Sequence, residues 1–269
     1  MQYQVRYYHR IIQFRWRRFH RRSSCQYGLF GVIGSLLSHG HIAYGIIGLF
    51  LTISAGVIGA VPAANAAMLD YDGCRVDEQR LLRGDLLACE RAISVFNRKP
   101  QGDVAGVILV NAPYSTVWRV LSNWEAQSGF VPGIKYYRVI HKFSGGNRSA
   151  WHALIEGRLL VPFVAGRYTL DAHFDQRIGR VSWNMLTKDD AARYQAEGIQ
   201  VKSFGEEQLK RLEGVARIVA YDTKRTVFYY APVLEPATPT PDFIRGAVRS
   251  VVLDDYMLAI KQAAEKRAK

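Results

Sequence analysis

The stretch Arg167-Tyr168-Thr169-Leu170-Asp171-Ala172-His173-Phe174-Asp175 alternates with period two. Tyr168, Leu170, Ala172 and Phe174 fall on one side; Arg167, Thr169, Asp171, His173 and Asp175 fall on the other. Successive strand side chains point to opposite faces, so this pattern predicts a β-strand with an apolar inner face and a wet outer one. Neighbouring segments repeat it. Lys135–Phe143 and Ala150–Leu159 flank Ser144-Gly145-Gly146-Asn147, which suits a hairpin loop. Gln176-Arg177-Ile178-Gly179 turns into Val181–Leu186, and Gly214–Tyr221 and Arg225–Leu234 are joined at Asp222-Thr223-Lys224. Antiparallel strands with one face on a core and one in water satisfy such alternation.

Upstream, Pro100-Gln101-Gly102-Asp103 makes a turn before Val104–Val110, a β-branched run that reads as a strand. Pro113 suits the first turn of a helix, and Val117, Val120, Leu121 and Trp124 follow at helical spacing until Gly129-Phe130-Val131-Pro132-Gly133 ends it. Leu86–Phe96 reads equally as strand or helix, and residues 68–84 as a polar lead-in. A polar stretch over 187–213 interrupts the strands, with a short helix at Asp189–Ala196. The last element is predicted as a helix of about seven turns with an apolar stripe at Ile244, Val248, Val251 and Leu258. Thr240 is its N-cap, Pro241 its first position, and Asp242 favours its positive end. With no internal repeat or low-complexity linker, the mature chain is one domain.

The formal charge of +13 suggests a nucleic-acid binder until its distribution is read. Seven basic residues, Arg6, Arg10, Arg15, Arg17, Arg18, Arg21 and Arg22, precede a segment without Asp, Glu, Lys or Arg that lasts until Asp70. Without those seven, 29 basic residues face 23 acidic ones, an ordinary balance of +6 that points to no nucleic-acid partner. The apolar run Ala43–Val61 closes on Pro62-Ala63-Ala64-Asn65-Ala66-Ala67. A basic start, an apolar run and a small-x-small ending are the physical requirements of a secretory signal, here with cleavage after Ala66 and with Ala64 and Ala66 as the small pair. Residues 1–66 are therefore expected to export the chain to the periplasm. The alternative is an uncleaved inner-membrane anchor at 43–61, for which about 20 apolar residues suffice. The pairs Arg17-Arg18 and Arg21-Arg22 arise in any Arg-rich leader and do not establish a twin-arginine signal.

Cys25 belongs to the leader, leaving Cys74 and Cys89 in the mature chain. In an oxidising compartment they are a disulfide candidate, stabilising by roughly 3 kcal/mol; the alternative is two unrelated thiols.

Val107-Ile108-Leu109-Val110-Asn111-Ala112-Pro113 followed by Val117-Trp118-Arg119-Val120-Leu121 resembles the opening of the START/polyketide-cyclase (SRPBCC) superfamily. Phe130-Val131-Pro132-Gly133 resembles its turn before the second strand. Leu212-Glu213-Gly214 and Thr226–Pro236 resemble its last two strands. Order and spacing carry the resemblance, over about residues 80–265, nearest to the cyclase/dehydrase or coenzyme-Q-binding START-like group. Two features depart from the pattern: Tyr114 replaces a Pro or small residue, and the longer 187–211 segment is expected to reshape the cavity mouth. The resemblance implies an α+β helix-grip fold over 101–267, after a lead-in at 67–100, in which the sheet wraps a long C-terminal helix around a hydrophobic cavity.

If Tyr168, Leu170 and Phe174 face inward, alternation brings Trp151, Ala153, Ile155, Val181, Trp183, Ile218, Phe228 and Tyr230 inward too. Trp151, Ile155, Tyr168, Leu170, Phe174, Trp183, Ile218, Phe228 and Tyr230 are then the candidate cavity residues, with core packing as the alternative at each. No catalytic set stands out. His141, His152 and His173 lie on separate strands without metal-ligand spacing, and His173 reads as a solvated strand histidine. Glu156 shares a strand face with His152, an arrangement commoner in cross-strand ion pairs than in acid–base chemistry. Gly-x-Ser-x-Gly, phosphate-loop and dinucleotide fingerprints are absent, so neither cofactor nor metal is expected. The expected function is binding or carriage of a lipid, isoprenoid or other hydrophobic small molecule by a monomer. Lys261, Lys266, Arg267 and Lys269 offer a membrane-surface contact. The alternatives are a polyketide cyclase/dehydratase-type enzyme, which needs an inward acid or base, and a protein-interaction module, which needs an exposed apolar patch on 187–211.

Overall fold

The computed structural model describes residues 68–71, 73–90, 104–143, 149–161, 164–202, 205, 209–238 and 251–269, all within a compact unit spanning Val61–Lys269. The leader with Ala64 and Ala66, the apolar run 43–61, the loop at 144–147, and the positions Thr240, Pro241, Asp242, Ile244 and Val248 lie outside the described residues. Among the described residues no helix is long and apolar enough to cross a membrane.

The chain begins with a hairpin of β1 (Met68–Tyr71) and β2 (Cys74–Asp77), then helix α1 (Glu78–Leu82). Next come β3 (Leu87–Glu90) and β4 (Val104–Val110). Helices α2 (Tyr114–Ser122) and α3 (Trp124–Gln127) follow, then β5 (Ile134–Phe143), β6 (Ala150–Val161), β7 (Val164–Asp175) and β8 (Arg180–Met185). Helix α4 (Lys188–Ala196) separates these from β9 (Leu209–Ala220) and β10 (Thr226–Pro236). A π-helical turn, Val251–Asp255, leads into α5 (Tyr256–Ala268). Strands β3 to β10 form one eight-stranded sheet in the order β3-β4-β10-β9-β8-β7-β6-β5, with every neighbouring pair antiparallel. This is an α+β helix-grip architecture. The predicted strands are present, and the ambiguous segment after Leu86 supplies the edge strand β3.

The inner face of the sheet packs on α2, α3 and α5 in one apolar core. On α5 the buried positions are Tyr256, Met257, Ile260 and Ala264, preceded by Leu253 in the π-turn. The predicted stripe differs: Leu258 is only half-buried. A π-turn holds an extra residue, so positions beyond it are rotated by about one residue relative to a uniform α register. Helix and sheet meet closely at Gly106, where an added Cβ would lie 2.5 Å from Met257 Sδ.

The outer face is not wet throughout, contrary to the expectation from alternation. Over β4, β10 and β9 it is covered by Cys74, Val76 and Leu81 from the N-terminal hairpin and α1. Over β6 it is covered by the 186–201 segment, whose Leu186, Ala191, Tyr194 and Val201 cluster on Leu154. Helix α4 is started by a reciprocal capping box between Thr187 and Asp190. Residues 186–201 therefore lie against the outer face, whereas Leu209 joins the inner core and Gly205 lies beside Tyr168, where an added Cβ would be 3.0 Å from Tyr168 Cβ. The large apolar side chains of the described part of 187–211 are turned inward, and the exposed large hydrophobics of the described residues are Met68, Leu82, Ile178 and Val219.

Cys74 and Cys89 form a disulfide across a sequence separation of 15, pinning β2 to the edge strand β3. Closing a loop of this size restricts the unfolded chain by roughly 3 kcal/mol. Cys89→Ser should lower the unfolding free energy by about this amount, measured by urea unfolding with midpoint and slope fitted for each form. An unchanged free energy would show that the bridge adds nothing to stability.

Candidate functional site

Tyr168 on β7 and Trp183 on β8 face the core beside glycines of the neighbouring strands. Gly157 is paired with Tyr168 and with Tyr137 on β5, and a Cβ there would lie 2.7 Å from the Tyr168 ring and 2.8 Å from the Tyr137 ring. Gly214 is paired with Trp183, and its Cβ would lie 2.5 Å from the indole and 2.7 Å from the Ala231 carbonyl oxygen. The missing side chains let these rings lie down on the sheet. The rings continue as a connected series. Trp124 from α3 meets Tyr137 at 5.0 Å, Phe174 at 5.8 Å and Trp183 at 5.7 Å between centroids. Trp183 stacks on Tyr230 at 5.7 Å, and Tyr230 on Tyr256 of α5 at 4.4 Å.

Between this aromatic wall, the Val131-Pro132 turn and the start of the last helix lies a cavity with about 550 Å³ of atom-free space, its open mouth included. Trp124, Tyr137, Tyr168, Trp183, Tyr230 and Tyr256 give it an aromatic surface, and Val131, Pro132, Ile134, Leu159, Leu170, Leu212, Leu234 and Val252 complete the lining. Its polar atoms are few. Burial pushes the Tyr137 phenol up to about 12, and burial drives Tyr168 and Tyr230 well above the usual phenol range, Tyr168 with help from the neighbouring Tyr137. Burial raises Tyr256 as well. All four are neutral at physiological pH and serve as hydrogen-bonding groups, not as bases. Tyr168 Oη and Tyr137 Oη are 3.5 Å apart, and Tyr256 donates to the buried Gln127 Oε1 at 3.2 Å. Trp124 Nε1 is a buried donor without a partner among the described residues.

Of the nine residues read as cavity candidates, Tyr168, Leu170, Trp183 and Tyr230 line the cavity. Trp151, Ile155, Phe174, Ile218 and Phe228 share the inner face but belong to the surrounding core; Trp151, for example, is stacked on Phe174 with centroids 3.6 Å apart. Sequence reasoning missed Trp124, Tyr137 and Tyr256. Trp124 was visible only as an apolar helix position. Tyr137 lies on a strand whose register shifts twice, between Ile134 and Tyr136 and between Val139 and His141, which defeats simple alternation. Tyr256 follows the π-turn.

Glu156, His152 and His173, singled out from the sequence, lie on the outer face of the sheet. Glu156 is engaged by Tyr136 and Arg138 from β5, a cross-strand ion pair and not a partner for His152. His152 and His173 are opposite one another across β6 and β7, and both reach Asp171. Burial lowers the His152 pKa despite that carboxylate, whereas interaction with the Asp171 carboxylate raises that of His173. Lys261, expected among the free C-terminal cations, instead donates to the Leu109 carbonyl at 2.6 Å and pairs with Glu265. Lys266, Arg267 and Lys269 are exposed.

The fold is an α+β helix grip. The sequence matches no family model and no curated protein. Among solved structures, it is similar to an aromatase/cyclase from a Streptomyces species, at 15% identity and a TM-score of 0.44 over 62% of this chain and 92% of that one. A START superfamily protein from Mycobacterium smegmatis matches at 15% identity and 0.43, over 62% and 96%. A STAR-related lipid transfer protein fragment from Xanthomonas axonopodis matches at 11% identity and 0.44, over 74% and 98%. The strand order and the helix that the sheet holds define this fold.

Gly214→Ala places a methyl group against Trp183 and against backbone that cannot swing away. Overpacking of this kind costs about 1–3 kcal/mol. The variant should melt several degrees lower and show altered tryptophan emission; unaltered melting and emission would mean that Trp183 does not rest on Gly214.

Proposed function

We propose that the mature chain binds and carries a lipid, isoprenoid or other hydrophobic small molecule in this cavity, outside the cytoplasm. The observation that carries the reading is the lining. Every described residue around the cavity is apolar or aromatic, and the only titratable groups among them are phenols held neutral by burial. Apolar walls with a few convergent polar atoms suit a ligand that is mostly hydrocarbon or aromatic. The unpartnered Trp124 indole N–H favours a ligand with one acceptor oxygen. Cyclase chemistry moves protons, and neutral phenols with raised pKa values are poorly matched to that task near neutrality.

Two features support action in the periplasm. The leader has the charge, apolar run and small-residue ending of an export signal, and the Cys74–Cys89 bridge belongs to an oxidising compartment. The chain acts as a monomer on this reading, and Lys266, Arg267 and Lys269 at the end of α5 supply attraction to anionic headgroups of about 1 kcal/mol each near a membrane surface.

The test is titration with the neutral apolar fluorophore N-phenyl-1-naphthylamine. Trp183→Ala and Tyr168→Ala should each weaken uptake about 10-fold, equivalent to about 1.4 kcal/mol, while circular dichroism remains that of a folded protein. Phe174→Leu, on the same face but outside the lining, should stay within about 2-fold, or 0.4 kcal/mol. Equal affinity in all three variants would remove the cavity as the binding site.

A further inference from the structure

The outer face of β6 and β7 carries a group of side chains that the cavity does not use. His152, Asp171 and His173 alternate with the inward-facing Ala153 and Ala172, so they lie on the opposite side of the sheet from the cavity. His152 and His173 are direct cross-strand partners, with their rings stacked at 4.2 Å and inclined by 9°. Both present Nε2 to the same carboxylate oxygen. His152 Nε2 lies 2.5 Å and His173 Nε2 3.2 Å from Asp171 Oδ1. One ligand atom from each residue falls within 4.8 Å of the others. The short contact does not have hydrogen-bond geometry, and His152 Nε2 and Asp171 Oδ1 are buried without a hydrogen-bond partner. Buried polar atoms left this way are costly, and their convergence calls for something that satisfies both.

The surroundings hold these groups in place. Tyr194 of α4 donates to the other carboxylate oxygen, Asp171 Oδ2, at 3.0 Å. Phe143 stacks on the free side of the His152 ring at 4.1 Å and 11°. A hydrogen bond to the second oxygen is how a ligating carboxylate is oriented, and the stacked Phe143 restricts the His152 ring.

We propose that His152, Asp171 and His173 form a site for a divalent first-row transition metal ion, of which Zn²⁺ is the probe. Two imidazole nitrogens and one carboxylate oxygen suit Zn²⁺ and its neighbours, whereas Ca²⁺ and Mg²⁺ require oxygen ligands. Two ligands on a tetrahedral ion at about 2.0–2.1 Å stand about 3.3 Å apart. The His173–Asp171 separation of 3.2 Å already fits, and the His152–Asp171 contact of 2.5 Å opens by less than about 1 Å. The His173 side chain is 58% exposed, which gives the ion an entry path. The bound ion joins β6 to β7 and, through Tyr194 and Asp171, fastens α4 to the sheet.

Zn²⁺ binding to the purified protein, stripped of metal with a chelator, is measured by competition with a chromophoric indicator and by melting. The expected result is one equivalent of tight binding and a Tm that rises with Zn²⁺. His173→Ala, at an exposed position, should weaken that equivalent by more than 10-fold, and Tyr194→Phe by about 10-fold, as loss of an orienting partner does. Binding with the same affinity in wild type, His173→Ala and Asp171→Asn, or no stoichiometric binding in wild type, would overturn the assignment. The first of these would place the ion elsewhere on the chain.

Discussion

Gly106 sits where the sheet meets the last helix, and the closeness of that meeting governs everything on the concave side. A side chain there would collide with Met257; without one, Met257, Ile260 and Ala264 are fully buried against the strands. One helix cannot fill the inner face of an eight-stranded sheet. Where α5 departs through its π-turn, α2, α3 and the Val131-Pro132 turn take over, and the space left between these elements is the cavity. The cavity is thus a consequence of how a sheet closes on a helix. Its aromatic surface is a consequence of sequence: Gly157 and Gly214 leave room for rings to lie flat where another residue would hold them off.

The two faces of the sheet divide the work. The concave face is apolar and aromatic, with phenols that burial keeps protonated. The convex face is covered in two patches, by the disulfide-tethered hairpin at one end and by the capped α4 segment at the other. Between and beside these patches lie the charged groups, Glu156 with Arg138 and Asp171 with its two histidines. Charged chemistry is kept out of the cavity by strand alternation itself.

Much of this was legible in the sequence because period-two alternation is a local signal. Tyr168, Leu170, Trp183 and Tyr230 follow from it directly, and so does the inward placement of Trp151, Ile155, Phe174, Ile218 and Phe228. Alternation decides the face but not whether a residue borders empty space or a neighbouring ring, and Phe174 is screened from the cavity by its place in the core. The other lining residues depend on departures from regularity: two register shifts for Tyr137 and a π-turn for Tyr256. The His152–Asp171–His173 group depends on strand register, which places residues 21 apart in direct opposition and appears in no local pattern. The cover that α4 and the residues after it provide on the outer face was likewise invisible, since their few buried apolar residues, Ala191, Tyr194 and Val201, form no run.

The central claim is that the concave space holds a hydrophobic molecule in the cell. Native mass spectrometry of the protein purified from a periplasmic fraction without detergent addresses it most directly. The account predicts a mass above that of the polypeptide, with solvent extraction releasing a lipid, isoprenoid or similarly apolar compound. A mass equal to the polypeptide alone, still unchanged after exposure to a total lipid extract, would contradict it and leave the aromatic wall as core packing.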